Sequence, residues 1–275
     1  VSLLDVLAVL LAGVGAGTIN AVVGSGTLIT FPTLLAIGIP PVTANMSNSL
    51  GLVPGSVAGA IGYRSELDGQ RSRILRLLVL STSGGVVGAV LLLVLPPDAF
   101  EAVVPALILL GVALVIVQPR LARYVAARAE LRTAAADAAG AGGSTRRRTV
   151  EPGWVLVAAF LTGVYGGYFG AAQGVILMGV LGIGINETLQ RLNGIKNVLV
   201  AVVNGVAGLI FVAAAELGLL GSDAEVDWLV VVVIAAGAVV GGFLGAAVGR
   251  RLPPLVLRSV IVVVGLTAVT LMLAT

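Results

Sequence analysis

Cysteine and histidine are both absent from the 275 residues. That removes disulfides, thiolate nucleophiles, imidazole bases and most transition-metal or haem sites together. Charge is scarce: Asp, Glu, Lys and Arg make up 11% of the chain, against about 25% in soluble domains. Away from segment ends no apolar run carries a carboxylate, since Asp5, Glu101 and Glu216 all stand near borders. A cation or proton carrier usually has an intramembrane Asp or Glu. Lysine occurs once, as Lys196, and the other 15 basic residues are Arg. With no His, Cys or clustered acid to act as general base or metal ligand, an enzyme is disfavoured, and neither metal nor cofactor is expected.

What the chain has in abundance is apolar surface: 58% hydrophobic residues and a mean hydropathy of +1.12, the composition of an integral membrane protein. Apolar stretches fall at 3–23, 25–38, 41–61, 75–95, 99–118, 153–170, 172–185, 194–217, 228–249 and 255–273. A crossing needs about 20 residues, so 25–38 and 172–185 are short. Arg64, Arg71, Arg73 and Arg76 cluster in one loop, Arg120 to Arg148 in another, and Arg250 with Arg251 in a third, whereas 95–101 and 221–227 hold acids and no base. This is the positive-inside pattern, placing the basic loops in the cytoplasm, and not a nucleic-acid surface. Val1 to Val23 has Asp5 and no basic n-region, so it reads as membrane domain and not as a cleaved signal. The Ala-, Gly- and Arg-rich stretch 119–152 reads as a flexible cytoplasmic linker.

Charge signs also constrain the crossings. Between the basic loop ending near Glu151 and the acidic loop at 221–227 the chain crosses an odd number of times, yet two apolar blocks intervene. Either two short full crossings or a hairpin over 153–185 that enters and returns resolves this; the hairpin is preferred because its second arm is short and Gly166, Gly167, Gly170 and Gly174 crowd its middle. Irregular backbone at that depth is tolerated inside protein or beside a water-filled cavity. The same reasoning makes 3–38 a hairpin from the outer side. The halves also match in sequence: "GTINAVVGSGTLITFPTLLAIGI" (17–39) lies over "GVYGGYFGAAQGVILMGVLGIGI" (163–185), Asn45, Ser49 and Ser56 over Asn193, Asn197 and Asn204, and "GGVVGAVLLLVLPP" (84–97) over "GGFLGAAVGRRLPP" (241–254). The expected fold is therefore an all-α integral membrane protein of two inverted repeats, 1–118 and 153–275, each a broken or re-entrant hairpin plus three transmembrane helices. Such repeats with discontinuous helices mark secondary transporters, whose sites lie at the repeat interface; a duplicated structural protein would share them.

The stretches "GTINAVVGSGTLITFPTLLAIGIPPVTANMSNSLGLVPGSVAGAIGYR" (17–64) and "INETLQRLNGIKNVLVAVVN" (185–204) resemble the glycine-rich turn, Gly-x-Pro break and "RLNxxKN" element of the sulfite exporter TauE/SafE family, also called the toluene sulfonate uptake permeases. The resemblance implies a permease for small sulfur-containing anions such as sulfite or an organosulfonate. The turn is "GSGT" here, with "GAAQG" as its second copy.

The polar residues supply candidates for the site. Spaced i, i+4 and i+11, Asn193, Asn197 and Asn204 lie within about 40° of one another on a helix, as do Asn45, Ser49 and Ser56. Each half thus presents a stripe of uncharged hydrogen-bonding groups. Such residues also tie helices together, at about 0.6 kcal/mol each. Ser25 and Thr27 stand at the first hairpin tip, Gln173 at the second, and Asn48 aligns with Lys196. Lys196 either snorkels to the cytoplasmic interface or joins the stripe as an electrostatic lure; Arg191 pairs with Glu187 or binds headgroups. The substrate-binding set is then Ser25, Thr27, Asn45, Asn48, Ser49, Gln173, Asn193, Lys196, Asn197 and Asn204. Amides, hydroxyls and the positive ends of broken helices favour an anion. The expected partners are a small anion and the bilayer, with a homodimer compatible, in a bacterial cytoplasmic membrane. An anion channel or a carrier of small carboxylates would use the same groups.

Overall fold

The computed structural model describes residues 2–138, 151–218, 225–248 and 254–274. Among them the secondary structure is helical, with no strand: α1 (Leu3–Val22), α2 (Thr27–Ala36), α3 (Pro41–Gly62), a short 3-10 turn (Arg64–Leu67), α4 (Arg71–Val94), α5 (Pro97–Ala138), α6 (Gly153–Tyr168), α7 (Gln173–Gly184), α8 (Leu189–Leu217), α9 (Trp228–Val248) and α10 (Pro254–Ala274). Local sequence sets several ends. Ser2 and Asp5 form a capping box on α1, Pro41 opens α3, and the Thr188 hydroxyl accepts from Arg191 N to start α8, each satisfying or avoiding an orphan N–H.

Five helices, within α1, α4, α5, α8 and α9, are long and apolar enough to cross a membrane. Helix α3 is also long, at 22 residues, but carries Asn45, Ser47, Asn48, Ser49 and Ser56, all buried in the protein. By contrast α2 has 10 residues and α7 has 12, about 15 and 18 Å at 1.5 Å per residue, short of a hydrocarbon core of about 30 Å. Each follows its predecessor through a tight turn. In one, Val23 and Gly24 N both donate to Ile19 O; in the other, Phe169 and Gly170 N both donate to Tyr165 O. Gly24 (φ 91°) and Gly170 (φ 77°) adopt the left-handed conformation that these turns require.

Packing crosses between the halves. Helix α1 lies along α9 and α6 along α4, while α3 and α8 cross each other and rest on α9 and α4. Helix α2 contacts α10, and α7 contacts α5. The α1–α9 and α4–α6 seams are backbone-close because glycine lines them. Gly17 abuts the Ala238 backbone and Gly163 that of Ser81; Gly84 and Gly88 abut Phe160 and Val164, as Gly241 and Gly245 abut Val14 and Thr18. Small residues let membrane helices approach this closely and gain van der Waals contact where apolar burial gives no driving force. Gly51, Gly55 and Gly208 likewise lie close against Ile234, Ala238 and Leu50.

One expectation is corrected. The stretch 119–152, read as a flexible linker, begins as helix: α5 continues through Pro119 to Ala138. Its Ala, Leu, Arg and Glu residues are strong helix formers, and this outweighs the compositional signal. Residues 139–150, including Arg146, Arg147 and Arg148, lie outside the described residues, as do 219–224 of the acidic loop and Arg250 with Arg251.

A glycine seam predicts a sharp contrast between two substitutions. In Gly88→Val the new Cβ would collide with Val164 O and Tyr168 N, and the detergent-purified protein should lose about 1–3 kcal/mol or fail to fold. Gly153→Ala meets nothing within 4 Å and should leave the thermal midpoint unchanged.

Candidate functional site

The two turns meet. Gly174 N donates to Gly24 O at 3.0 Å, and a Cβ on either residue would strike the other's backbone. Thus the C-terminal end of α1 and the N-terminal ends of α2 and α7 converge, with backbone polarity at depth that neighbouring side chains must satisfy. Antiparallel α3 and α8 run beside them: Gly208 faces Leu50, Gly205 faces Val53 and Gly59 faces Asn197.

Lys196 is fully buried. Its stem lies along Gly174, where a Cβ would meet Cδ at 3.1 Å. Its Nζ donates to Asn20 O at 2.9 Å and Ala21 O at 3.2 Å. The amine therefore does not reach out to solvent, as the snorkelling reading required. Helix α8 starts seven residues before Lys196, at Leu189, so Lys196 lies about 10 Å inside the helix end. The last carbonyls of α1, without helical partners and at the negative end of its dipole, draw the amine inward. No ion pair includes Lys196 among the described residues. Asn197 Nδ2 donates to Ala21 O at 3.4 Å, and Asn20 Nδ2 to Ser56 Oγ at 3.0 Å.

On the other flank Asn48 ties α3 to α2. Its Nδ2 donates to Thr27 Oγ1 at 3.3 Å, and its Oδ1 accepts from the Thr30 hydroxyl. Asn45 Nδ2 donates to Tyr168 O at 2.9 Å. Gln173 presses on Gly166, and Asn204 Oδ1 stands beside Gly170. Four buried polar atoms here have no partner: Ser25 Oγ, Asn45 Oδ1 and both Gln173 Oε1 and Nε2. Such orphans cost about 1–3 kcal/mol each unless water or a ligand meets them.

The structure thus brings Ser25, Thr27, Asn45, Asn48, Gln173, Lys196, Asn197 and Asn204 to the two turns. Ser49 is buried next to Asn48. Asn193 is half-buried one turn before Asn197, with Oδ1 unpartnered, and makes none of these contacts. Sequence reasoning missed Asn20 and Thr30. The former was visible as the one amide in the α1 run, four residues before the turn glycine.

Ion pairs stand at one end of this region and aromatic rings at the other. At the basic end Arg73 bonds Glu151 at 2.8 Å and Glu187 at 2.8 Å, Arg76 bonds Glu151 at 2.6 Å, and Arg191 reaches Glu187 at 3.3 Å and Asp68 O at 2.6 Å. Arg191 therefore pairs as one of its two readings expected. Burial pushes the Glu151 carboxyl upward, but the bonds from Arg73 and Arg76 outweigh it and hold the group below the usual range. Glu187 is likewise raised by burial and lowered further by Arg73, Gln70 and Arg191. At the opposite end Phe31, Phe100 and Phe169 pack edge to face, centroids 5.1 to 6.5 Å apart, with Tyr168 on Phe100. A cavity of about 400 Å³ opens there between the end of α2, the start of α3, Glu101 and α10. It contains none of the candidate residues, and its lining is mainly apolar. Among the described residues no cluster of His, Cys, Asp or Glu could hold a metal.

Paired broken helices enclosing uncharged hydrogen-bonding groups, in a helical chain with five candidate spans, belong to a multi-pass membrane transporter. The chain is a member of the sulfite exporter TauE/SafE family, whose model matches residues 9–272. It is 26% identical over 265 residues to a Haemophilus influenzae protein described as "Probable membrane transporter protein", covering 94% of this chain and 91% of that one. It is 27% identical over 240 residues to "Probable membrane transporter protein YfcA" of Escherichia coli K12, covering 86% and 76%. A match of 32% over 94 residues to "Probable membrane transporter protein ORF9" of a Sinorhizobium species spans only 34% of this chain and 36% of that relative. No solved structure matches.

The carboxylates predict an acid-side instability. With native values lowered, Glu151 and Glu187 stabilise the fold fully above their ordinary value of 4.5, and that stabilisation is lost as pH falls below it through the native values. The thermal midpoint should drop on acidification from pH 4.5 downward, and Glu151→Gln should flatten that part of the curve.

Proposed function

We propose that this protein is a secondary transporter for a small sulfur-containing anion, sulfite or an organosulfonate, held at the two turns and moved by alternating access. One observation carries the reading: among the described residues Lys196 is a buried amine with no carboxylate partner, at turns where amide atoms and the Ser25 hydroxyl lack partners. An uncompensated buried charge is costly, and an anion supplies both the missing charge and the missing acceptors. The N-terminal ends of α2 and α7 add positive backbone dipole at the same place.

The two halves are related as inverted repeats in this proposal. Support comes from matched contacts: α1 on α9 pairs with α6 on α4, Gly17 on Ala238 with Gly163 on Ser81, and antiparallel α3 with α8. The hairpins are re-entrant, the basic end faces the cytoplasm, and the bilayer is that of a bacterial cytoplasmic membrane, as the arginine clusters and the bacterial relatives suggest. Burial of the site beneath ion pairs at one end and aromatic rings at the other favours a carrier over an open channel.

Uptake into proteoliposomes tests this. The wild type should take up sulfite or a sulfonate saturably and leave a matched carboxylate outside. Lys196→Met should lower uptake at least about tenfold, since a charged hydrogen bond contributes about 1.5–3 kcal/mol. Asn197→Ala should abolish uptake with monodispersity intact. Normal sulfur-anion uptake in both variants would remove the site from the two turns, and linear, unsaturable flux would replace the carrier with a channel.

A further inference from the structure

Deepening that reading, and resting on it, we infer that the transported species is a monoanion that itself donates a hydrogen bond, so that bare dianions and anions without a donor hydrogen are selected against. The first part follows from charge. Among the described residues Lys196 is the single cationic side chain placed at the turns, and Arg73 and Arg191 are already engaged by Glu187 and Glu151. One positive charge, shared with two carbonyls, neutralises one negative charge, because the positive dipole ends of α2 and α7 are offset by the negative ends of α1 and α6 at the same turns. A dianion would leave a net buried charge, which is disfavoured at this depth.

The second part follows from the orphaned atoms. Asn45 Nδ2 is committed to Tyr168 O, which fixes the amide's orientation and leaves Oδ1 as a buried acceptor. Gln173, nearly fully buried at 1% exposure, has both its donor and its acceptor unpartnered. Both residues reach the α6–α7 turn, Asn45 through Tyr168 and Gln173 through its contact with Gly166. An oxyanion with acceptor oxygens alone satisfies Gln173 Nε2, the Ser25 hydroxyl and the Lys196 amine, but leaves Asn45 Oδ1 and Gln173 Oε1 facing further acceptors. A protonated oxyanion, or an anion bearing a hydroxyl or ammonium group, satisfies both kinds.

Calorimetry on the full purified chain tests the claim with a pair of sulfonates differing by one donor, ethanesulfonate and 2-hydroxyethanesulfonate, and with sulfate as the dianion. The hydroxyl-bearing probe should bind at least about tenfold tighter than its partner, because a site built around polar atoms rejects the analogue that leaves them unpaired. Sulfate should bind more weakly than either. In Gln173→Met, an unbranched replacement without an amide, the preference for the hydroxyl should shrink, while the ligand-free protein should be at least as thermally stable as the wild type, since only unpartnered atoms were removed. A lower midpoint for that variant would mean that Gln173 is a structural tie and would overturn its role. Equal binding of the two sulfonates, or tighter binding of sulfate, would overturn the inference while leaving the anion site standing. Binding of none of the three would overturn the anion site and the inference with it.

Discussion

The structure turns on one constraint: two helices are broken inside an apolar fold, and every backbone group freed by the breaks needs a partner. A membrane interior offers no water to meet them. The Gly24–Gly174 backbone bond joins the two breaks. Lys196 takes the last carbonyls of α1, and Asn45 takes a carbonyl of the second turn. Glycine is required at this crossing because a Cβ would separate the turns. The polar side chains that look like a binding site are therefore, in the first instance, the groups that make the breaks tolerable. At the turns Ser25, Asn45 and Gln173 also keep atoms that no group among the described residues meets.

The glycine seams hold this arrangement in place. Because α1 lies on α9 and α6 on α4, each half supports the other's hairpin. A movement of one half thus carries a turn with it. The two ends differ in chemistry. At the basic end, three ion pairs link Arg73 and Arg76 to Glu151 and to Glu187 in the α7–α8 connection, and a fourth joins Glu187 to Arg191. At the other end, apolar rings from α2, α5 and the second turn interlock. On the proposed transport reading, an anion passing the first end meets charge that can be exchanged, whereas one passing the second must part the rings.

Much of this was legible in the sequence. Composition fixed the membrane class, the shortness of 25–38 and 172–185 pointed to α2 and α7, and aligned Gly24 and Gly170 proved to be the two left-handed turn glycines. Placing Asn45, Asn197, Asn204 and Gln173 near the turns needed only periodicity and the repeat. The depth of Lys196 could not be read, because its partners, Asn20 O and Ala21 O, are 176 and 175 residues away. A hydropathy count from Val198 onward sees a span complete without it and puts the lysine at the surface. Arg73 with Glu151 and Glu187 was hidden for the same reason, three loops distant in sequence joining at one end. Where local propensity and composition disagreed, as over 119–138, the strong helix formers won over the low-complexity appearance.

The central claim is that an anion sits between the two turns beside Lys196. Its most direct test is a structure determined with hydrogen selenite, whose selenium gives an anomalous signal locating a monoanion of the expected chemistry. The account predicts a single peak within hydrogen-bonding distance of Lys196 Nζ and the Gln173 amide. A peak in the cavity beside Glu101, with the turns empty, would contradict it.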